Sequence, residues 1–314
     1  MHAVVFVALP VFGLILAGGV AGRARFLGPH ATEVLNLFVV YLALPAVLFQ
    51  AMAGIHPLDL VHLGFVAAFG GAILLPYALV VVLSRLSGRP LANAAIQGLS
   101  GTYANVGYMG IPLCWAAFGA ASLVPSVIAM VLTACAQFGA ALALVELDLQ
   151  TRPDLLRTAS AVGGALARNP LLIAPAAGFV LALLGLHLPA PILRFTTLLG
   201  GSATPCALVA TGLMLAERSG RFDPLLVGWL SLVKLILQPV LAWWLAYRVL
   251  TLPPVWAETA VLMSALPTGT GAFILALMYG REGASTSGTV LVSTVLSFVT
   301  LSFLLVWMGA GGAG

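Results

Sequence analysis

Ala104-Asn105-Val106-Gly107-Tyr108-Met109-Gly110-Ile111-Pro112 cuts through one long apolar run, and Leu266-Pro267-Thr268-Gly269-Thr270-Gly271-Ala272-Phe273 cuts through another. Proline cannot donate a helical hydrogen bond, and glycine loses more conformational freedom on ordering than any other residue. Both stretches therefore predict backbone that leaves the helix. Inside a bilayer such backbone is stable only where protein or a watery cavity satisfies its polar groups. Two interruptions at corresponding places in two halves of a chain point to a binding site near the bilayer midplane.

The residues around these stretches put both of them in a membrane. Of 314 residues, 61% are apolar and 7% charged, against about 25% charged in ordinary soluble domains. So little charge cannot cover a soluble surface, and most of the surface must meet lipid. A spanning helix needs about 20 apolar residues. Ten runs qualify, at 3–22, 33–54, 60–83, 92–118, 123–145, 169–187, 192–216, 225–250, 256–279 and 286–308. The first has no basic stretch ahead of it, and Arg23 and Arg25 follow it. It reads as a first span, since a cleavable signal carries its charge first and has a shorter apolar core. The all-α membrane fold expected is thus ten transmembrane helices, with helices 4 and 9 broken.

Charge sets the orientation. Arg23, Arg25, Arg85, Arg89, Arg152, Arg157, Arg168, Arg218, Arg221 and Arg281 follow odd-numbered spans, whereas only Arg194 and Arg248 lie on the other side. The positive-inside rule then puts both termini outside the cytoplasm and the loop 149–168 within it, as in a multi-pass inner-membrane protein. The net charge of +4 does not mark a nucleic-acid binder, because the basic residues are scattered singly through short loops. Cys114, Cys135 and Cys206 have no CxxC spacing, and His2, His30, His56, His62 and His187 never pair on one helix face. No metal or other cofactor is implied.

The two halves echo each other. Pro10-Val11-Phe12-Gly13 in span 1 matches Pro175-Ala176-Ala177-Gly178 in span 6, and Ala43 to Leu48 in span 2 matches Ala203 to Leu208 in span 7. Pro76 matches Pro239, and the pair Gly110 and Gly119 matches Gly271 and Gly280. The partners stand about 160–165 residues apart throughout. Two five-span repeats, 1–148 and 169–314, follow, joined by the loop 149–168. An odd number of spans inverts the second copy relative to the first.

A helix broken at mid-membrane exposes N–H groups on one side and carbonyls on the other. The N-terminal end of a half-helix carries partial positive charge, so two such ends form an anion site without a fixed charge. Gly107, Gly110, Gly269 and Gly271 let backbone approach a ligand closely, while Pro112 and Pro267 keep the helices from closing through the breaks. Asn105 can donate its amide to a carboxylate or make an interhelical hydrogen bond. Thr268 and Thr270 add hydroxyls, and Tyr108 adds a phenol. Lys234, the single lysine, lies ten residues beyond Pro224, about 15 Å along a helix. It suits attraction of an anion, pairing with a half-helix C-terminus, or snorkelling to the surface. Gln238 shares its face, and Gln50 and Gln137 are further amides that can reach a cavity or cross-link helices. Every Asp and Glu sits at a span end or in a loop, so the membrane holds no carboxylate for a proton relay. An uncoupled carrier of a small organic anion, driven outward by the inside-negative potential, is the mechanism expected.

At Asn36 to Val39, Leu44 to Phe49, Asn105 to Leu113, Lys234 to Pro239 and Leu266 to Gly269, the chain resembles the auxin efflux carrier family. That family includes plant auxin exporters and bacterial carriers of malonate and other organic acids. The resemblance runs over all ten spans. It implies that spans 4 and 9 cross at their breaks and that Asn105 contacts substrate. It also implies that spans 1, 2, 6 and 7 form a scaffold that dimerises, and that spans 3–5 and 8–10 move as an elevator. Ala104 and Ala272 stand where the plant members have proline. Other readings of the sequence are a sodium- or proton-coupled organic-acid symporter of the bile-acid-carrier type, and a channel-like or sensory membrane protein. A membrane-embedded enzyme would need acidic residues or histidines at depth, and none is present.

Overall fold

The computed structural model describes residues 9–25, 27–28, 30–54, 62–150, 159–160, 163–164, 167–186, 188–216 and 222–309. His2, His56, His187, Arg152, Arg157, Arg218, Arg221 and most of the connecting loop 149–168 lie outside them. The described chain is helical throughout, with no strand among these residues and one isolated antiparallel bridge, Ala104 to Thr268.

The helices are α1 (Leu9–Ala24), α2 (Ala31–Ala53), α3 (Leu63–Leu86) and α4 (Leu91–Thr102). Then come α5 (Val106–Gly110 continuing as Ile111–Phe118) and α6 (Leu123–Val131 continuing through Leu132–Gln137 into Phe138–Leu149). In the second half follow α7 (Pro170–Leu183), α8 (Ala190–Ala216), α9 (Pro224–Val249), α10 (Pro254–Ala265), α11 (Thr270–Met278) and α12 (Gly283–Trp307).

Among the described residues six helical stretches are long and apolar enough to cross a membrane: Ala31–Ala53, Leu63–Leu86, Val106–Leu149, Ala190–Ala216, Pro224–Val249 and Gly283–Trp307. Leu9–Ala24 and Pro170–Leu183 are shorter apolar helices. The 44-residue stretch Val106–Leu149 would be about 66 Å long if straight, twice the hydrocarbon core. It is not straight. Gly119 takes φ +68°, which only glycine adopts without strain, and Leu123–Val131 packs back on Val106–Gly110.

Proline shapes several of these helices. Wide π-helical turns at Val39–Ala43, Val106–Gly110 and Val233–Leu237 each end two residues before a proline, Pro45, Pro112 and Pro239. Proline has no N–H for the carbonyl four residues back, and its ring pushes that carbonyl aside. The preceding turn opens, as such turns often do at functional sites.

The helices pack as two groups. In the first, α1 lies along the C-terminal part of α8, and α7 lies along α2. Small residues allow these close crossings: a Cβ on Gly212 would overlap the Ile15 carbonyl, one on Gly18 the Val209 carbonyl, and one on Gly178 the Phe49 carbonyl. Lipid offers no hydrophobic drive for helix pairing, so such backbone-close packing supplies it instead. In the second group α3, α4, α6, α9, α10, α11 and α12 pack around the two breaks. Asn93 joins α4 to the α11–α12 turn, accepting from Arg281 at 2.7 Å and donating to Glu282 at 2.8 Å.

Candidate functional site

Helix α4 ends where Tyr103 turns extended (φ −75°, ψ 104°), and α10 ends where Leu266 does the same (φ −60°, ψ 154°). The two extended segments run antiparallel and exchange backbone bonds. Asn105 N–H donates to the Pro267 carbonyl at 2.9 Å, and Gly269 N–H donates to the Tyr103 carbonyl at 2.8 Å. The unwound polar groups of each break are thus satisfied by the other break, as a buried backbone demands. Side chains complete the closure. Thr268 Oγ1 donates to the Ser100 carbonyl at 2.8 Å, and Thr268 N–H donates to Ser293 Oγ at 3.0 Å.

Glycine is required where the segments touch. A Cβ on Gly271 would lie 2.6 Å from Cε1 of Tyr103, and one on Gly269 would lie 3.1 Å from the Ala104 carbonyl oxygen. Gly110 has the same function further along, since a Cβ there would meet Met263 Sδ at 2.5 Å.

A cavity of about 240 Å³ opens beside this crossing. Asn105, Gly107, Tyr108, Gly269, Thr270 and Gly271 line it, with Tyr103, Asn169 and Phe138. No Lys, Arg, His, Asp or Glu is among its lining residues. Two helix N-termini, those of α5 and α11, begin at its wall, and their first N–H groups have no intrahelical acceptor. Asn105 is 6% exposed. Its backbone is fully engaged, but its side-chain amide has no hydrogen-bond partner among the described residues. Tyr108 donates its hydroxyl to Asn36 Oδ1 at 3.2 Å, and so ties the broken segment to α2 of the other helix group.

The remaining residues expected at the site do not line this cavity. Pro112 and Gln50 line a separate cavity of about 710 Å³, in which Gln50 Oε1 accepts from Thr197 at 3.3 Å. Gln137 is buried and donates to Thr102 Oγ1 at 2.6 Å, a cross-link between α6 and α4. Thr268 is spent on the closure described above, and the Pro267 carbonyl accepts from Asn105 N–H. Lys234 is fully buried, does not reach the surface, and donates to the Ser264 carbonyl at 2.7 Å. Gln238 is fully buried as well and lines neither cavity.

Tyr103, Asn169 and Phe138 are among the lining residues that the sequence did not point to. Tyr103 reaches the cavity because Gly271 makes room for its ring. Asn169 caps α7 by accepting from Leu171 N–H at 2.9 Å; the Asn169-Pro170 pair is a helix-start signal that marks the position. Phe138 packs edge-on against Tyr103, with centroids 6.2 Å apart, and nothing local in the sequence distinguishes it from other apolar residues.

A family model described as membrane transport protein matches residues 3–147 and 143–305. A Rhizobium meliloti (strain 1021) protein named "Putative malonate transporter" is 32% identical, over 99% of this chain and 98% of its own length. A Methanothermobacter thermautotrophicus protein named "Uncharacterized transporter" is 24% identical, over 93% of this chain and 94% of its own length.

Proposed function

The chain belongs to the membrane transport protein family, and from that premise we propose that it is a secondary carrier that exports a small organic anion across the inner membrane by alternating access. The observation that carries the reading is the uncharged cavity at the meeting of the two breaks. Two half-helix N-termini, the Asn105 amide, which has no partner among the described residues, and the Thr270 hydroxyl can together hold a carboxylate through dipoles alone. Its volume of about 240 Å³ falls below the range of about 300–1,000 Å³ typical of drug-sized ligands. A short carboxylate of the malonate type fits that size and agrees with the name of the Rhizobium relative.

The architecture we propose is ten spans in two inverted five-helix repeats, with both termini outside the cytoplasm. Helices α4 and α5 together make span 4, and α10 and α11 together make span 9. The turn at Gly119 and the mutual bonding of the breaks support this count. Helices α1, α2, α7 and α8 would form a fixed scaffold and a homodimer contact, while the second group slides past it as an elevator. The Asn36–Tyr108 bond then links a moving element to a fixed one.

Export without ion coupling follows from a site that holds charge with dipoles. The membrane potential favours outward movement of an anion by about 2.3 kcal/mol per charge per 100 mV. Proteoliposomes loaded with labelled malonate test this. Saturable efflux that accelerates under an inside-negative potential is the expected result. Efflux that ignores the potential and strictly requires a pH gradient refutes it. One observation favours a second reading, a gated pore: the two cavities have Leu44 as a common lining residue. Flux that never saturates and shows no counterflow would select the pore.

A further inference from the structure

Lys234 stands on the widened turn Val233–Leu237 of α9 and is 0% exposed. Its amine meets the Ser264 carbonyl at 2.7 Å. Ser264 lies in the last turn of α10, whose final carbonyls have no intrahelical donor and carry the negative end of the helix dipole. The other half-helix that runs into the crossing, α4, ends in the same way, and its Ser100 carbonyl accepts from Thr268 Oγ1. Each carbonyl end is therefore closed by a side chain from a distant part of the chain. One closing group is a hydroxyl that belongs to the break itself. The other is an amine reaching in from a neighbouring helix.

Carbonyl ends of half-helices near the midplane are where secondary carriers hold coupling cations. The surroundings of Lys234 suit such a position. Ser231 and Gln238 lie about one turn to either side of it on the same helix face. Ser231 Oγ, both ends of the Gln238 amide and Ser264 Oγ are buried without a hydrogen-bond partner among the described residues. Among the described residues Lys234 has no charged partner. Helix α10 brings only Glu258, six residues before Ser264 and so about 9 Å away along the helix. Helices α4 and α12 bring no charged residue at all.

We propose that Lys234 is a positioning residue whose tethered amine occupies the place of a coupling cation. It closes the C-terminal end of α10 and holds Leu266–Gly269 in register with the Asn105 segment. Binding of the anion therefore needs no added cation. The proposal rests on the anion-carrier reading above, but its test can be read separately.

The test uses purified full-length protein, malonate as the probe, and buffers of sodium, N-methylglucamine or propylammonium chloride. Wild-type affinity should be the same in all three. Lys234→Ala, monodisperse on size exclusion, should bind malonate about tenfold more weakly or worse in N-methylglucamine, as befits the loss of a buried hydrogen bond. Propylammonium should restore much of that affinity, because it returns an amine to the vacated stem. It should also raise the melting temperature of ligand-free Lys234→Ala and leave that of the wild type unmoved. A purely packing role would respond to Lys234→Met, which refills the volume, and not to an amine. Unchanged affinity in Lys234→Ala, full recovery in Lys234→Met, or sodium-dependent wild-type binding overturns the proposal. A wild type that binds no short carboxylate defeats the anion reading instead, and the amine-dependent melting of ligand-free Lys234→Ala still decides the role of Lys234.

Discussion

Asn105→Ala separates binding from folding. The backbone of Asn105 holds the crossing together: its N–H donates to Pro267, and its carbonyl accepts from Gly110 N–H at 3.0 Å. Alanine keeps both bonds. The side-chain amide has no partner among the described residues and lines the cavity, so its removal leaves no protein group newly unsatisfied. The unliganded melting temperature should stay within a degree or two, in line with a small ΔΔG. A hydrogen bond to a charged ligand is worth about 1.5–3 kcal/mol, which corresponds to roughly 10- to 150-fold in affinity. Thermal-shift titration of wild type and Asn105→Ala with malonate and other short carboxylates measures both quantities. The stabilisation by the best ligand should need at least about tenfold more ligand in the variant. If the ligand-induced shift is unchanged, the anion does not sit at the crossing. If the unliganded variant melts far lower, the amide is a structural cross-link and not a ligand contact.

Two further outcomes follow from distances elsewhere. Gly212→Ala would drive a methyl into the Ile15 carbonyl, whereas a methyl on Gly13, in the same helix pair, meets nothing within 4 Å. Overpacking of this kind costs about 1–3 kcal/mol or more, so Gly212→Ala should melt markedly lower in detergent while Gly13→Ala holds or gains stability; equal melting of the two would contradict the α1–α8 contact. Tyr108→Phe removes the bond to Asn36, worth about 0.5–1.5 kcal/mol net, and, on the proposed alternating-access reading, should shift the balance between its two states roughly 2- to 13-fold. Cysteine accessibility at Asn169→Cys in native membranes would report that shift, and an unchanged labelling rate would show that the bond does not hold the two groups together.

Several features were legible in the sequence because they depend on local chemistry. Charge scarcity puts the chain in a membrane without reference to any contact. The prolines and glycines at 104–112 and 266–273 mark irregular backbone because their effect is intrinsic to the residue. The family resemblance rests on parts of those stretches together with Asn36 to Val39, Leu44 to Phe49 and Lys234 to Pro239, and the matches over residues 3–305 agree with it. Side-chain placement was a different matter. Thr268, Gln137 and Lys234 are candidates for the site by residue type and place along the chain, yet each is engaged in a bond to a residue 30 or more positions away. Tyr103 was passed over, although the glycine that admits its ring had been singled out. Asn36, in the quoted motif, could not be connected to Tyr108 across 72 residues.

The sequence alone thus determined the solvent of this protein, the helical class, and the points where helices must break, since hydropathy and backbone preference act over a few residues. Only the tertiary structure decided which break satisfies which, that the Asn105 amide lines the cavity with no partner among the described residues while Thr268 is consumed, and that Lys234 turns inward to a helix end. Those choices depend on where helices distant in the chain come within about 3 Å of each other, the range of a hydrogen bond, and no local pattern encodes that distance.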